Sequence, residues 1–137
     1  MLMTDFDEEN CTIASGCDCC ASDLFFLTDK EFGLIARCIY NDTYYRGTYS
    51  IKQDKLTLTF KQMVVNEIVD EATFKDTNKL EKIKIKSTEF TIGECNGDLK
   101  LSSTDPGLEH GISQSPNVEI EFLKKLKTTE AWKLLEN

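Results

Sequence analysis

The densest group of reactive side chains in this sequence is Cys17-Asp18-Cys19-Cys20. Cys17 and Cys20 stand at CxxC spacing, and Cys19 adds a third thiol. Thiolates are soft ligands that select Cu(I) or zinc, so Cys17, Cys19 and Cys20 are the metal-site candidates. A structural zinc site needs four ligands, and Cys38 or Cys95 would have to complete the set on folding. The competing chemistry is disulfide formation among Cys11, Cys17, Cys19, Cys20, Cys38 and Cys95, an even count that suits an oxidising compartment. The lack of a second CxxC favours disulfides over metal, and spacing alone leaves their connectivity open. A thioredoxin-like redox role wants a βαβ setting, whereas the flanking pattern is all-β.

Other catalytic constellations are missing. His110 is the sole histidine and sits in a Gly-Leu-Glu-His-Gly context typical of an exposed loop. That context argues against a catalytic triad, and a single histidine against a multi-histidine metal site. Serine-nucleophile motifs, phosphate-cradling glycine loops and HExxH are absent. Carboxylate runs such as Asp7-Glu8-Glu9 and Asp70-Glu71 read as solvated surface. Asn41-Asp42-Thr43 and Asn10-Cys11-Thr12 match the short glycan-acceptor pattern, which is weakly specific. The expectation is a protein that binds and does not catalyse.

The elements that must position these residues belong to one domain. The chain has 137 residues, 40% hydrophobic and 29% charged, a globular composition. Twenty-four acidic against 16 basic residues give a net charge of −8. That balance argues against nucleic acid, which wants a basic footprint, and against docking on anionic lipid. It is compatible with a basic protein partner or with plain solubility. No run approaches the roughly 20 apolar residues of a transmembrane helix. The acidic first ten residues have no apolar core and are not a signal peptide. Location is thus periplasmic or outer-membrane-anchored, with an export signal missing from the chain, or else cytoplasmic.

Residues 1–16 read as a flexible acidic lead-in, and 17–137 as a single domain. The clearest pattern runs from Thr43 to Phe60. Gly47, Tyr49 and Ile51 share one face, Leu56, Leu58 and Phe60 share one face of the next run, and Lys52-Gln53-Asp54-Lys55 links them. Such alternation predicts a β-hairpin. Asp23–Leu27 and Phe32–Tyr40 read as an earlier strand pair. Gln62–Val69 reads as a strand or a short helix, and Asp70–Lys79 as a loop. Leu80–Lys86 reads as a strand with Ile83 and Ile85 inward. Asn96-Gly97 is a two-residue turn joining Glu89–Cys95 to Asp98–Ser102. Ser103–Pro116 reads as a long loop and Asn117–Phe122 as a last strand. The tail from Lys124 is helical, with Thr128 or Thr129 as N-cap and Trp132, Leu134 and Leu135 available to pack. An alternative runs that helix from about Val118 to Leu135.

Short antiparallel strands in succession predict a mainly β fold, a small up-and-down lipocalin-like barrel with a C-terminal helix across its outside or mouth. A barrel of about eight strands is filled by side chains or holds one small ligand. Phe26, Tyr49 and Phe60 are the ligand-cavity candidates.

Cys17-Asp18-Cys19-Cys20 followed by Asp23–Lys30 resembles the CxxC-then-strand opening of the NlpE family of bacterial lipoproteins. Gly47-Thr48-Tyr49 with Asp54-Lys55-Leu56-Thr57-Leu58-Thr59 resembles that family's Gly-Thr-aromatic hairpin. The likeness spans about residues 17–102. It implies a small envelope lipocalin-like barrel linked to copper tolerance and stress sensing, with Cys17 and Cys20 as the matching pair. Cys11, Cys19, Cys38 and Cys95 depart from that pattern. The expected function is a non-catalytic cell-envelope protein that binds a small apolar ligand, a metal or a protein partner. The alternatives are an acidic inhibitor or immunity-type protein for a basic partner, and a copper- or zinc-handling protein using the Cys17–Cys20 cluster.

Overall fold

The computed structural model describes residues 2–4, 6–7, 12–13, 21–37, 41–70, 72–73, 75–95, 97–102, 110–113 and 116–136. Among these residues eleven strands and two helices follow in order: β1 (Leu2–Thr4), β2 (Phe6–Asp7), β3 (Thr12–Ile13), β4 (Ala21–Phe26), β5 (Glu31–Arg37), β6 (Asn41–Lys52), β7 (Lys55–Asp70), β8 (Lys75–Glu81), β9 (Ser87–Cys95), β10 (Asp98–Ser102), β11 (His110–Ser113), α1 (Pro116–Lys127) and α2 (Glu130–Glu136). The fold is mainly β, as the alternation requires.

Strand pairing runs β6-β5-β4-β1-β11-β10-β9-β7, and β7 pairs again with β6. The antiparallel circuit therefore returns on itself in chain order, with β2–β3 and β8 set aside from it. This is the topology of a curled up-and-down barrel. Closure depends on β7, a 16-residue strand. One edge of β7 pairs with β6 along its length. The other edge is divided: Lys55–Thr59 pairs with β9 and Met63–Asp70 pairs with β8.

Successive residues of a strand face opposite sides of the sheet, and here both sides are covered. Leu24, Phe32, Leu34, Leu56, Leu58, Phe60, Phe90 and Leu101 form the core inside the curl. Phe25, Ile35 and Val64 face the other way and meet Leu126, Ala131, Trp132 and Leu135 of the helices. Burial on both faces explains why 24–26 and 34–36 are unbroken apolar runs where a one-faced strand would alternate. Phe25 packs its ring 5.4 Å from that of Trp132 and 5.1 Å from that of Phe122. Gly33 pairs with Phe25 across β4 and β5. A Cβ there would run into the Phe25 ring and come within 2.8 Å of Trp132, so this aromatic stack needs glycine beneath it.

A β-bulge reverses the parity of β7. The register passes from Gly47↔Phe60 to Arg46↔Gln62 and skips Lys61. Phe60 therefore faces the inner core, while Val64, an even number of residues later, faces the helices. Gly47 sits at the bulge because a Cβ there would collide with the Thr59 carbonyl oxygen.

Arg46 ties the layers together. It donates from Nη2 to Glu31 Oε2 at 3.0 Å and from Nη1 to the Leu135 carbonyl at 3.0 Å. Its guanidinium carbon lies 5.9 Å from the centre of the Trp132 ring. A cation is favourable at the carbonyl end of a helix, so β6 holds α2 by its C-terminus. At the other end of α2, the Trp132 amide donates to Thr129 Oγ1 at 3.3 Å, which makes Thr129 the N-cap.

Several expected elements differ. Asn117–Phe122 is helical, part of α1, with Glu119 in its first turn and Lys124, Lys125 and Lys127 in its last. Such charges complement a helix dipole, and Phe122, Leu123 and Leu126 supply a packed face. The tail is helical, as expected, but as two helices separated by a turn at Thr128 and not as one continuous helix from Val118 to Leu135. Gln62–Val69 is strand throughout. The expected loop 70–79 contains most of β8, a polar strand whose exposure removed any alternation. Ile83 packs on the inner core, but Ile85 is exposed. Leu2–Thr4 belongs to the barrel circuit and not to a loose lead-in, and His110–Ser113 forms a strand within the expected loop.

Candidate ligand site at the barrel mouth

β4, β6 and β9 run in the same direction in the antiparallel circuit, and the turns 27–30 and 53–54 follow β4 and β6. They mark one end of the curl. There the inner core stops short of filling the space. A cavity of about 230 Å³ remains, lined by Phe26, Tyr49, Ile51, Leu56, Ile92, Leu99 and Leu101. These residues come from β4, β6, β7, β9 and β10; Leu56 and Leu101 belong to the packed core, and Phe26, Tyr49, Ile92 and Leu99 lie against it. Leu56 and Leu101 are buried at its floor, and Ile51 is 59% exposed at its rim.

The rim is braced by backbone. Tyr49 donates from its amide to the Lys30 carbonyl at 2.9 Å and from its hydroxyl to the Thr28 carbonyl at 3.1 Å. Thr28 Oγ1 accepts from the amides of Lys30 and Glu31 at 3.2 and 3.0 Å, a side-chain turn that organises its own loop. Phe26 and Tyr49 meet edge to face with ring centres 4.7 Å apart. Across the mouth, the Ile92 amide donates to the Asp54 carbonyl at 2.7 Å, and Lys55 Nζ donates to Thr91 Oγ1 at 2.8 Å. The turn at Gln53, with φ 58°, is held between these contacts.

Chemically the cavity is simple. No lining residue is charged, and its one side-chain polar atom, the Tyr49 hydroxyl, is already committed to Thr28. A bound charge would be desolvated without compensation, which is costly. An engineered apolar cavity of about 150 Å³ takes benzene, so this volume suits a neutral molecule somewhat larger than one ring.

The sequence candidates divide. Phe26 and Tyr49 line the cavity. Phe60 does not: it is buried one layer deeper, against Phe32 at 5.5 Å and Tyr45 at 5.0 Å between ring centres. Ile51, Leu56, Ile92, Leu99 and Leu101 were not singled out as lining residues. Their alternation was visible, but which inward residues stay uncovered depends on where the strands end relative to one another. Cys11, Cys17, Cys19, Cys20 and Cys38, with the disulfide and metal expectations attached to them, lie outside the described residues. Cys95 is the last residue of β9, opposite Asp98, and His110 is the first of β11. Among the described residues no group of three or more histidine, cysteine or acidic side chains could hold a metal ion. No helix among them is long and apolar enough to cross a membrane.

Two tyrosines have displaced acidities. Burial pushes the Tyr44 hydroxyl above its ordinary range, with Asp42 and Asp76 adding to the rise and Arg37 opposing it. Burial alone raises Tyr45. Tyr44 packs with the outer layer and Tyr45 with the inner core.

The chain matches no protein-family profile, no curated protein and no solved structure.

Proposed function

We propose that the protein is a non-catalytic binding protein, lipocalin-like in the bacterial cell envelope, that holds one small neutral apolar molecule in the barrel mouth. The observation that carries this reading is the cavity lined by Phe26, Tyr49, Ile51, Leu56, Ile92, Leu99 and Leu101. A packed barrel has no reason to leave such a surface uncovered, since burying apolar area stabilises by about 25 cal/mol per Å². The envelope location rests on the resemblance of the Gly47–Thr59 hairpin and the Cys17–Cys20 opening.

Titration with the fluorescent probe 1-N-phenylnaphthylamine tests the binding. Saturable enhancement at one site is expected. Ile51→Glu, at an exposed rim position, should weaken it by roughly tenfold or more by placing a carboxylate beside the apolar site. Circular dichroism confirms that the variant is folded. Absence of saturable binding, or equal binding by Ile51→Glu, overturns the proposal.

A further inference from the structure

Every strand of the barrel circuit has a partner on each side, whereas β8 pairs only with β7 among the described residues. Its outer edge presents backbone donors and acceptors that a further strand can use. β8 is firmly seated: Asn66 Nδ2 donates to Asp76 Oδ2 at 3.0 Å and to Asn78 Oδ1 at 2.8 Å. It contains no proline or glycine over its seven residues, Lys75-Asp76-Thr77-Asn78-Lys79-Leu80-Glu81. Leu80 on it is 53% exposed.

We propose that β8 is the docking edge for a second copy of this chain, paired antiparallel about a two-fold axis at Asn78. The charge pattern selects the occupant and the register. Centred on Asn78, the pairing sets Lys75 opposite Glu81 at both ends, Thr77 opposite Lys79, Asp76 opposite Leu80, and Asn78 opposite itself. Moving the axis to Thr77 puts Lys75 opposite Lys79. Moving it to Lys79 puts that lysine opposite its own copy. Opposite charges directly across strands are favourable and like charges unfavourable, so one register alone among these three has no like-charge pair, and it uses all seven residues. The interface is isologous, as a closed dimer requires. An edge pairing of this length buries less than the roughly 1,200 Å² of a standard interface, so the dimer is weak and forms at high concentration. This inference is independent of the ligand site, which lies at the end of the curl formed by β4, β6, β7, β9 and β10.

Sedimentation equilibrium of the full chain, from about 10 μM to about 1 mM at low salt, decides it. The expected result is a monomer–dimer equilibrium that weakens as salt screens the end pairs. Lys75→Glu should weaken the dimer by roughly tenfold, because it sets Glu opposite Glu81 twice. Lys75→Glu combined with Glu81→Lys should restore it. Circular dichroism of both variants confirms that each is folded. A wild-type monomer throughout the range overturns the proposal and leaves the charges of β8 as guards of an open edge. A dimer indifferent to Lys75→Glu, or not restored by the double change, overturns it equally.

Discussion

The two sides of the sheet receive similar residues and end in different states. Outside, Phe25, Ile35 and Val64 are closed over by Trp132, Leu135 and Leu126. Inside, Leu24, Phe32, Leu58 and Phe60 pack well, but the next layer toward the mouth is left around a cavity of about 230 Å³. The outer layer has separate elements, α1 and α2, that can move until contact is complete, and Arg46 holds α2 by the Leu135 carbonyl. The inner layer can be filled only by side chains already fixed to the strands. A tight outer seal and an open inner mouth follow from that difference in freedom.

The largest test of the contrast removes the seal. Trp132 is 2% exposed, and Trp132→Ala should cost about 3–5 kcal/mol, read as a lowered denaturant midpoint. A loss below about 1 kcal/mol would show that the helices contribute little to the fold.

Next, adding atoms should have opposite signs on the two sides. Gly33→Ala drives a methyl group toward Phe25 and Trp132 and should destabilise by about 1–3 kcal/mol through overpacking. Leu99→Phe extends a ring into the empty mouth and should stabilise by about 0.5–1 kcal/mol, as cavity filling does. It should also abolish binding of the apolar probe. Equal signs in thermal melts would remove the distinction between sealed and open layers.

The smallest effect is in alkali. Tyr44 and Tyr45 have folded pKa values raised above the ordinary 10.0. The folded protein therefore keeps protons that the unfolded chain gives up. Their contribution is complete below about pH 10 and is lost as pH rises through the folded values. Urea midpoints should fall above pH 10, and the fall should be shallower in Tyr44→Phe and Tyr45→Phe.

Much of the barrel was legible. Leu56, Leu58 and Phe60 alternate without interruption and are all buried inward. Gly97, at the turn expected before β10, takes φ 87°. A threonine cap at 128 or 129 was identifiable from its chemistry, and the Trp132 amide selects Thr129. Other parts were not legible for definable reasons. β8 is exposed and polar, so no apolar period announced it. Val118-Glu119-Ile120-Glu121-Phe122 alternates like a strand, yet the helix it joins gains its packing from Phe122, Leu123 and Leu126 against Phe25 and Trp132. Of the cavity, Phe26 and Tyr49 could be named because aromatic residues on inward positions stand out. The five aliphatic residues beside them look like any core residue.

What the sequence by itself determined is local: which runs alternate, where glycine permits a turn, and that one of two adjacent threonines caps a helix. These depend on backbone sterics and hydrogen bonds within a few residues. The tertiary structure alone decided which face each run of apolar residues serves. The bulge at Gly47 reverses that assignment midway along β7, and closure of the circuit through β1 and β11 brings distant strand ends together. A cavity is a failure of distant side chains to meet, and no local pattern records it.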